Sequence, residues 1–191
     1  MGYRIERDFL GEKQIPDDAY YGVQTLRGKE NFHITNMPVS REPNFVKAFG
    51  YVKKAAAMAN RDLGVLDAKI AEAIMGACDR LIAGEMLDQF VTDFIQGGAG
   101  TSVNMNANEV IANLANEALG GARGAYRPVH PNDHVNMAQS TNDVIPTVVR
   151  VAASLLVRDL LPVVDGLADA LDRKAEAFDA VLKPGRTHLQ D

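Results

Sequence analysis

Three short runs of this 191-residue chain place hydroxyl and amide groups on a backbone with few other side chains: "GGAGTS" at 97–102, "STN" at 140–142 and "GRTH" at 185–188. In the first, Gly97, Gly98 and Gly100 crowd into four positions, and Thr101 and Ser102 follow where an apolar-periodic segment begins. Two of the three runs abut expected helix N-termini, where free N–H groups and the helix dipole favour negative charge. Thr101, Ser140, Thr141, Asn142 and Thr187 could therefore cradle carboxylates together. Each run also has a plain structural reading, Ser140–Thr141 as a helix N-cap and the glycine loop as a tight turn, and the residues alone leave both open. His188 is a candidate donor or proton relay beside Thr187. Arg27, Arg127 and Arg186 are the nearest cations. His130 and His134 in "HPNDH" lack the helical spacing of zinc hydrolases, so no metal site is assigned. The five asparagines of "NMNANEVIANLAN" cost helix propensity; they read as a polar face with solvent or neighbouring carbonyls as partners, or, for Asn104, as a brace for the loop.

These groups need elements to hold them. "YRIERDF" alternates apolar and charged residues as a half-buried strand would, and Gly11 and Pro16 then punctuate a short hairpin or extended arm. Phe45, Ala48, Phe49, Val52, Ala55, Ala56 and Ala59 predict a helix closed by Gly64. Asp67 predicts the N-cap of a second helix carrying Ile70, Ile74, Ala77, Cys78 and Leu81, closed by Gly84. Val103, Ala107, Val110, Ile111, Leu114 and Ala118 form a third stripe behind the glycine loop. A fourth segment starts near Val144; Pro146 suits its first turn, whereas Pro162 is expected to separate it from a last helix. That helix presents Val164, Leu167, Leu171, Ala175, Phe178 and Val181 or Leu182 in a near-heptad seam, as in a helical bundle.

Composition narrows the function classes. A net charge of −5 without a basic stripe argues against nucleic acid as a partner. Hydrophobic residues at 47% and charged residues at 24% suit a packed globular chain with no membrane-spanning run. A single cysteine, Cys78, excludes an intrachain disulfide framework, and the expected location is the cytoplasm. A chain stopping just after Gly-Arg-Thr-His has the look of a fragment, with an N-terminal domain at 1–140 and the start of a helical bundle at 141–191.

Four long runs, "RIERDFLGEKQIPDDAYYGVQTLR", "QGGAGTSVNMNANEVIAN", "HPNDHVNMAQSTNDVIPT" and "GRTHLQD", occur in the order in which the aspartase/fumarase superfamily carries them, and over its whole length the chain resembles that superfamily. Where fumarases usually read Tyr-Trp-Gly-Ala, Thr-Gln-Ser-Asn and Ser-Ser-Asn-Asp, this chain has Tyr20-Tyr21-Gly22-Val23, Thr101-Ser102-Val103-Asn104 and Ser140-Thr141-Asn142-Asp143. All three differences resemble the aspartase branch.

The resemblance implies a mainly α fold, with an N-terminal helical domain bearing a short β arm or hairpin, followed by the first long helices of a central bundle. It implies a carbon–nitrogen lyase that eliminates ammonia reversibly from L-aspartate to give fumarate. No organic cofactor is expected, and Mg²⁺ activation is left open. Thr101, Ser140 and Thr141 would hold the β-carboxylate, Thr187 the α-carboxylate, and Asn142 and His188 the amino group. The family's general base is a Ser in a mobile Gly-Ser-Ser loop, which this chain lacks, so the chain alone is expected to be inactive. Family members are homotetramers. A second dicarboxylate site, as in fumarases, would fall at Arg127, His130, Asn132 and Asp133. The alternatives are a fumarate hydratase of the same architecture and a non-catalytic helical assembly module.

Overall fold

The structure is a computed structural model describing residues 2–183 and 185. It is mainly α with one antiparallel hairpin. Strand β1 (Tyr3–Asp8) pairs with β2 (Gly11–Pro16) in a register running from Tyr3↔Pro16 to Asp8↔Gly11. The hairpin corrects the expected facing. Tyr3 and Ile5 are exposed, and the buried β1 residue is Glu6. Polar groups decide this: Glu6 accepts from the Val23 amide at 2.9 Å and the Tyr126 hydroxyl at 2.7 Å, while Arg4 binds Glu6 and the carbonyls of Pro16, Ala19 and Tyr21. Leaving those donors dry and unpaired would cost more than exposing two apolar side chains.

Helix α1 (Val23–Asn31) follows the hairpin and was not foreseen, because its sequence has neither a strong apolar stripe nor a capping residue. Helix α2 (Pro43–Asp62) packs along α3 (Ala68–Ile82), and α3 along α4 (Thr101–Ala118). Asp67 caps α3 as expected, accepting from the Lys69 and Ile70 amides. The phase of α2 agrees with expectation at Ala48 and Phe49, both buried, and departs from it in the second half of the helix. Its buried residues are Val46, Ala48, Phe49, Gly50, Lys53, Ala57 and Asn60, whereas Ala55 and Ala59 face outward. Phe49 anchors the buried face, meeting Phe45 edge-on at 5.4 Å and Phe90 at 6.2 Å, and the helical repeat from there turns Lys53, Ala57 and Asn60 inward rather than Ala55 and Ala59.

Helix α4 is enclosed from Val103 to Asn116 except at the half-buried Met105; its two ends emerge, at Thr101 and at Glu117 and Ala118. Its asparagines are therefore not a solvated face. Asn106, Asn113 and Asn116 each clamp a neighbouring backbone by donating and accepting: to Gln89 and Val91, to Tyr20 and Gly124, and at both polar atoms of Val129. Their poor propensity is offset because each satisfies buried main-chain groups that no other element reaches.

Helix α5 spans Thr141–Phe178 in 38 residues, continuing through Pro162, so the expected break there is corrected. Pro162 lies in an exposed stretch, where the hydrogen bond it removes from the helix leaves its carbonyl partner open to water. Two compact units divide the chain, residues 1–153 and 154–191. In the first, Val144, Val148 and Ala152 of α5 join the core. In the second, Val164, Leu167, Leu171 and Phe178 are exposed. No helix among the described residues is long and apolar enough to cross a membrane.

Candidate active site

The glycine loop is built by backbone that few residues adopt. Gly98, Ala99 and Gly100 have φ of +70°, +53° and +92°, the left-handed region, where Ala99 is strained and glycine is not. Gly100 is further required by space, since a Cβ there would lie 2.8 Å from Ile145 Cγ1 of α5. Gly100 has no side chain to cap α4, so Gln96 does it, accepting from the Val103 amide at 2.8 Å while donating to Asp93 O at 2.7 Å. Asp93 is itself fixed by Thr35, Asn36 and Ile95; against the opposing effect of desolvation these hydrogen bonds hold its carboxyl at about 2.

The start of α5 meets this loop. Asn142 lines a cavity of about 700 Å³ with Ala99, Gly100, Phe45 and Ile145. Asn104 on α4 donates to Thr141 Oγ1 at 3.4 Å and to Asn136 Oδ1 at 3.2 Å. Ser140 Oγ accepts from the Asn142 amide at 3.3 Å, the N-cap bond expected of it. The three hydroxyls are in two states. Those of Ser140 and Thr141 accept and donate to nothing among the described residues, so their protons are free for a ligand. Thr101 instead donates to Gly98 O at 2.6 Å. On its other side Thr101 borders an open cavity of about 600 Å³ with Ser102, Gln24 and Arg27. The Arg27 guanidinium is already occupied by Asp8, at 2.8 and 2.9 Å, and by Gly11 O at 3.0 Å.

Behind Thr141 lies a polar group that sequence reading missed. Lys53, with no exposed surface, donates to Asn136 Oδ1 at 2.9 Å and Gln139 Oε1 at 3.0 Å. Burial lowers its pKa to about 7, slightly opposed by Cys78, whose own thiol burial pushes up to about 12. Asn136 Oδ1 takes a third donor from Asn108 at 3.2 Å, while Asn104 Oδ1 and Asn108 Oδ1 are buried and accept nothing from the described residues. The available signal for Lys53 was its place in the Val46, Phe49, Lys53, Ala57 phase of α2.

His130, Asn132 and Asp133 lie elsewhere, on a cavity of about 770 Å³ shared with Arg7, Glu109 and Tyr126. Arg127 is exposed and is not among the residues lining it. His130 Nδ1 accepts from the Asn132 and Asp133 amides, at 3.3 and 3.2 Å, so this ring caps the turn Pro131–Val135 and keeps only Nε2 for a ligand. His134 Nδ1 likewise accepts from the His130 amide at 2.8 Å. Arg186, Thr187 and His188 lie outside the described residues. Among those described, no three His, Cys, Asp or Glu side chains converge as metal ligands.

Residues 11–191 match the lyase family. The chain is 53% identical over 188 residues to the aspartate ammonia-lyase of Helicobacter pylori strain J99, covering 98% of this chain and 40% of that one. It is 59% identical over 190 residues to the class II fumarate hydratase of Halobacterium salinarum, covering 99% and 40%. Among solved structures it is similar to the fumarate lyase:delta crystallin of Brucella melitensis in native form, with a TM-score of 0.95 and 52% identity over 100% of this chain and 44% of that one. The recombinant class II fumarase of Schistosoma mansoni gives 0.88 and 36%, covering 100% and 40%. The chain thus spans about 40% of the length of these curated relatives. With the hairpin, the glycine loop at the head of α4 and the Ser-Thr-Asn start of α5 all in place, the chain belongs to the lyase family, within the aspartase/fumarase superfamily.

Proposed function

We propose that the protein is an ammonia-lyase that converts L-aspartate reversibly to fumarate and ammonia. The observation that carries the reading is the pair of hydroxyls, on Ser140 and Thr141, that donate to no group among the described residues, at the head of a long helix that packs against the glycine loop. In this reaction a base takes the C3 proton and the C–H electrons pass into the β-carboxylate as an enediolate. Their return forms the C2–C3 double bond as the C2–N bond breaks and ammonia leaves. Ser140 and Thr141 donate to the carboxylate oxygens as negative charge builds, strengthening as the transition state is approached, which is what accelerates the step. Thr101 joins them by turning its hydroxyl from Gly98 O, and Asn142, with Thr187 and His188, holds the α-substituents. The base is assigned to a Ser of a Gly-Ser-Ser loop outside this sequence, which implies that the 191 residues alone turn over nothing.

The names of relatives support the aspartase branch by number and the fumarase branch by one close case, the 59% identical Halobacterium salinarum fumarate hydratase. Fumarate hydration is therefore the second reading, with water in place of ammonia. Assaying the complete protein separately on L-aspartate and L-malate separates them: release of fumarate from aspartate supports the first, and release only from malate supports the second.

A further inference from the structure

A lysine with no exposed surface and no carboxylate partner among the described residues is costly, because desolvation of the ammonium is answered only by neutral amides. Packing alone does not call for it, since an apolar side chain of similar volume would fill the same space on α2. The partners of Lys53 indicate its use. Both acceptors, Asn136 and Gln139, belong to the turn that leads into Ser140. Asn60, two helical turns along the same face of α2, donates to Met137 O of that turn at 3.0 Å. The turn is strained at Ala138, a non-glycine residue at φ +56°. It is closed from within by Asn136 Nδ2 on Gln139 O at 3.3 Å, and by Gln139 Nε2 on Val135 O and Met137 O at 2.8 and 3.2 Å. Finally, Asn136 Oδ1, the oxygen that receives Lys53, also receives Asn104, whose second N–H reaches Thr141.

We propose that Lys53 is a positioning residue: from the buried face of α2 it clamps the Asn136–Gln139 turn, and through that turn and Asn104 it fixes the Ser140 and Thr141 hydroxyls against the glycine loop. The identity of the site it serves rests on the function proposed above. The clamp itself rests on the geometry.

The test uses the complete protein with Lys53→Met, Thr141→Ala and the double variant, measured by steady-state kinetics and by hydrogen–deuterium exchange. Lys53→Met should lower kcat by up to about 100-fold, with a much smaller change in KM, as expected of misplaced donors. In the double variant the loss should be smaller than the product of the two single losses, because part of the lysine's effect passes through the Thr141 hydroxyl. Losses that multiply would overturn the coupling. Exchange decides the clamp without any turnover: the amides of Asn136, Met137, Gln139, Asp143 and Val144 should exchange at least about 10-fold faster in Lys53→Met, while those of α3 do not change. Unchanged exchange there would overturn the inference. If Lys53→Met does not fold, Lys53→Gln removes the ammonium while keeping a polar head on α2, and the same two results apply. A Thr141→Ala protein with full activity would instead defeat the proposed function, and the exchange result would still stand or fall independently.

Discussion

At the residue scale, the hydrogen-bond state of each hydroxyl ranks its role. Thr141 Oγ1 is an acceptor toward Asn104, so its proton is free to point at a ligand; Thr101 has its proton on Gly98 O. Thr141→Ala in the complete protein should therefore lower kcat by about 100-fold, on the order of 3 kcal/mol of transition-state stabilisation, with thermal stability little altered. An unchanged kcat would remove Thr141 from the site. Lys53 has a separate thermodynamic signature. Burial lowers its folded pKa from 10.5 to about 7, so between those values the unfolded chain binds more protons and stability rises with pH. The gain is complete above the unfolded value and lost as pH falls through about 7. Denaturant titrations of the wild type across this window should show a rise that Lys53→Met lacks; parallel profiles would contradict it.

At the element scale, α1 depends on a carboxylate from another helix. Gly22 supplies no capping side chain, and Glu109 of α4 takes its place, accepting from the amides of Gly22, Gln24 and Thr25 at 2.9, 3.0 and 3.0 Å and from Thr25 Oγ1 at 2.6 Å. Desolvation raises the Glu109 pKa despite these donors, and they orient the carboxylate at the positive end of the α1 dipole. Glu109→Gln would turn an N–H toward N–H groups, and should cost on the order of 3 kcal/mol in chemical denaturation. Gly22 is fixed by the same cluster: a Cβ would overlap the Tyr126 hydroxyl and lie 2.7 Å from Glu6 Oε2, so Gly22→Ala should lower Tm by several degrees or more. Gains in stability from either change would refute the trans-cap.

Sequence reading found α2, α3, α4, the hairpin and the boundary at Ser140 because apolar spacing, Asp67 and the glycines are local signals. It missed α1, whose cap comes from a residue 87 positions away, and it misphased the second half of α2, where the helical repeat from the Phe49–Phe90 contact buries Lys53, Ala57 and Asn60. The site runs were visible as motifs. Lys53 and Glu109 were not, because a charged residue in a helix reads as surface until the fold shows what covers it.

At the scale of the whole molecule, Val164, Leu167, Leu171 and Phe178 are exposed along the second unit. Such a face is too apolar to stay in water, and we propose that copies of the complete protein bury it as a homotetramer. Leu171→Glu should then yield smaller species in sedimentation velocity; an unaltered profile would show that the face lies outside the interface. The account as a whole turns on which small molecule leaves the four-carbon skeleton. The direct measurement is fumarate absorbance during incubation of the complete protein with L-aspartate and, separately, with L-malate. The expected result is fumarate from aspartate, none from malate, and none from either substrate with the 191-residue chain. Fumarate from malate with aspartate left untouched would contradict the ammonia-lyase assignment.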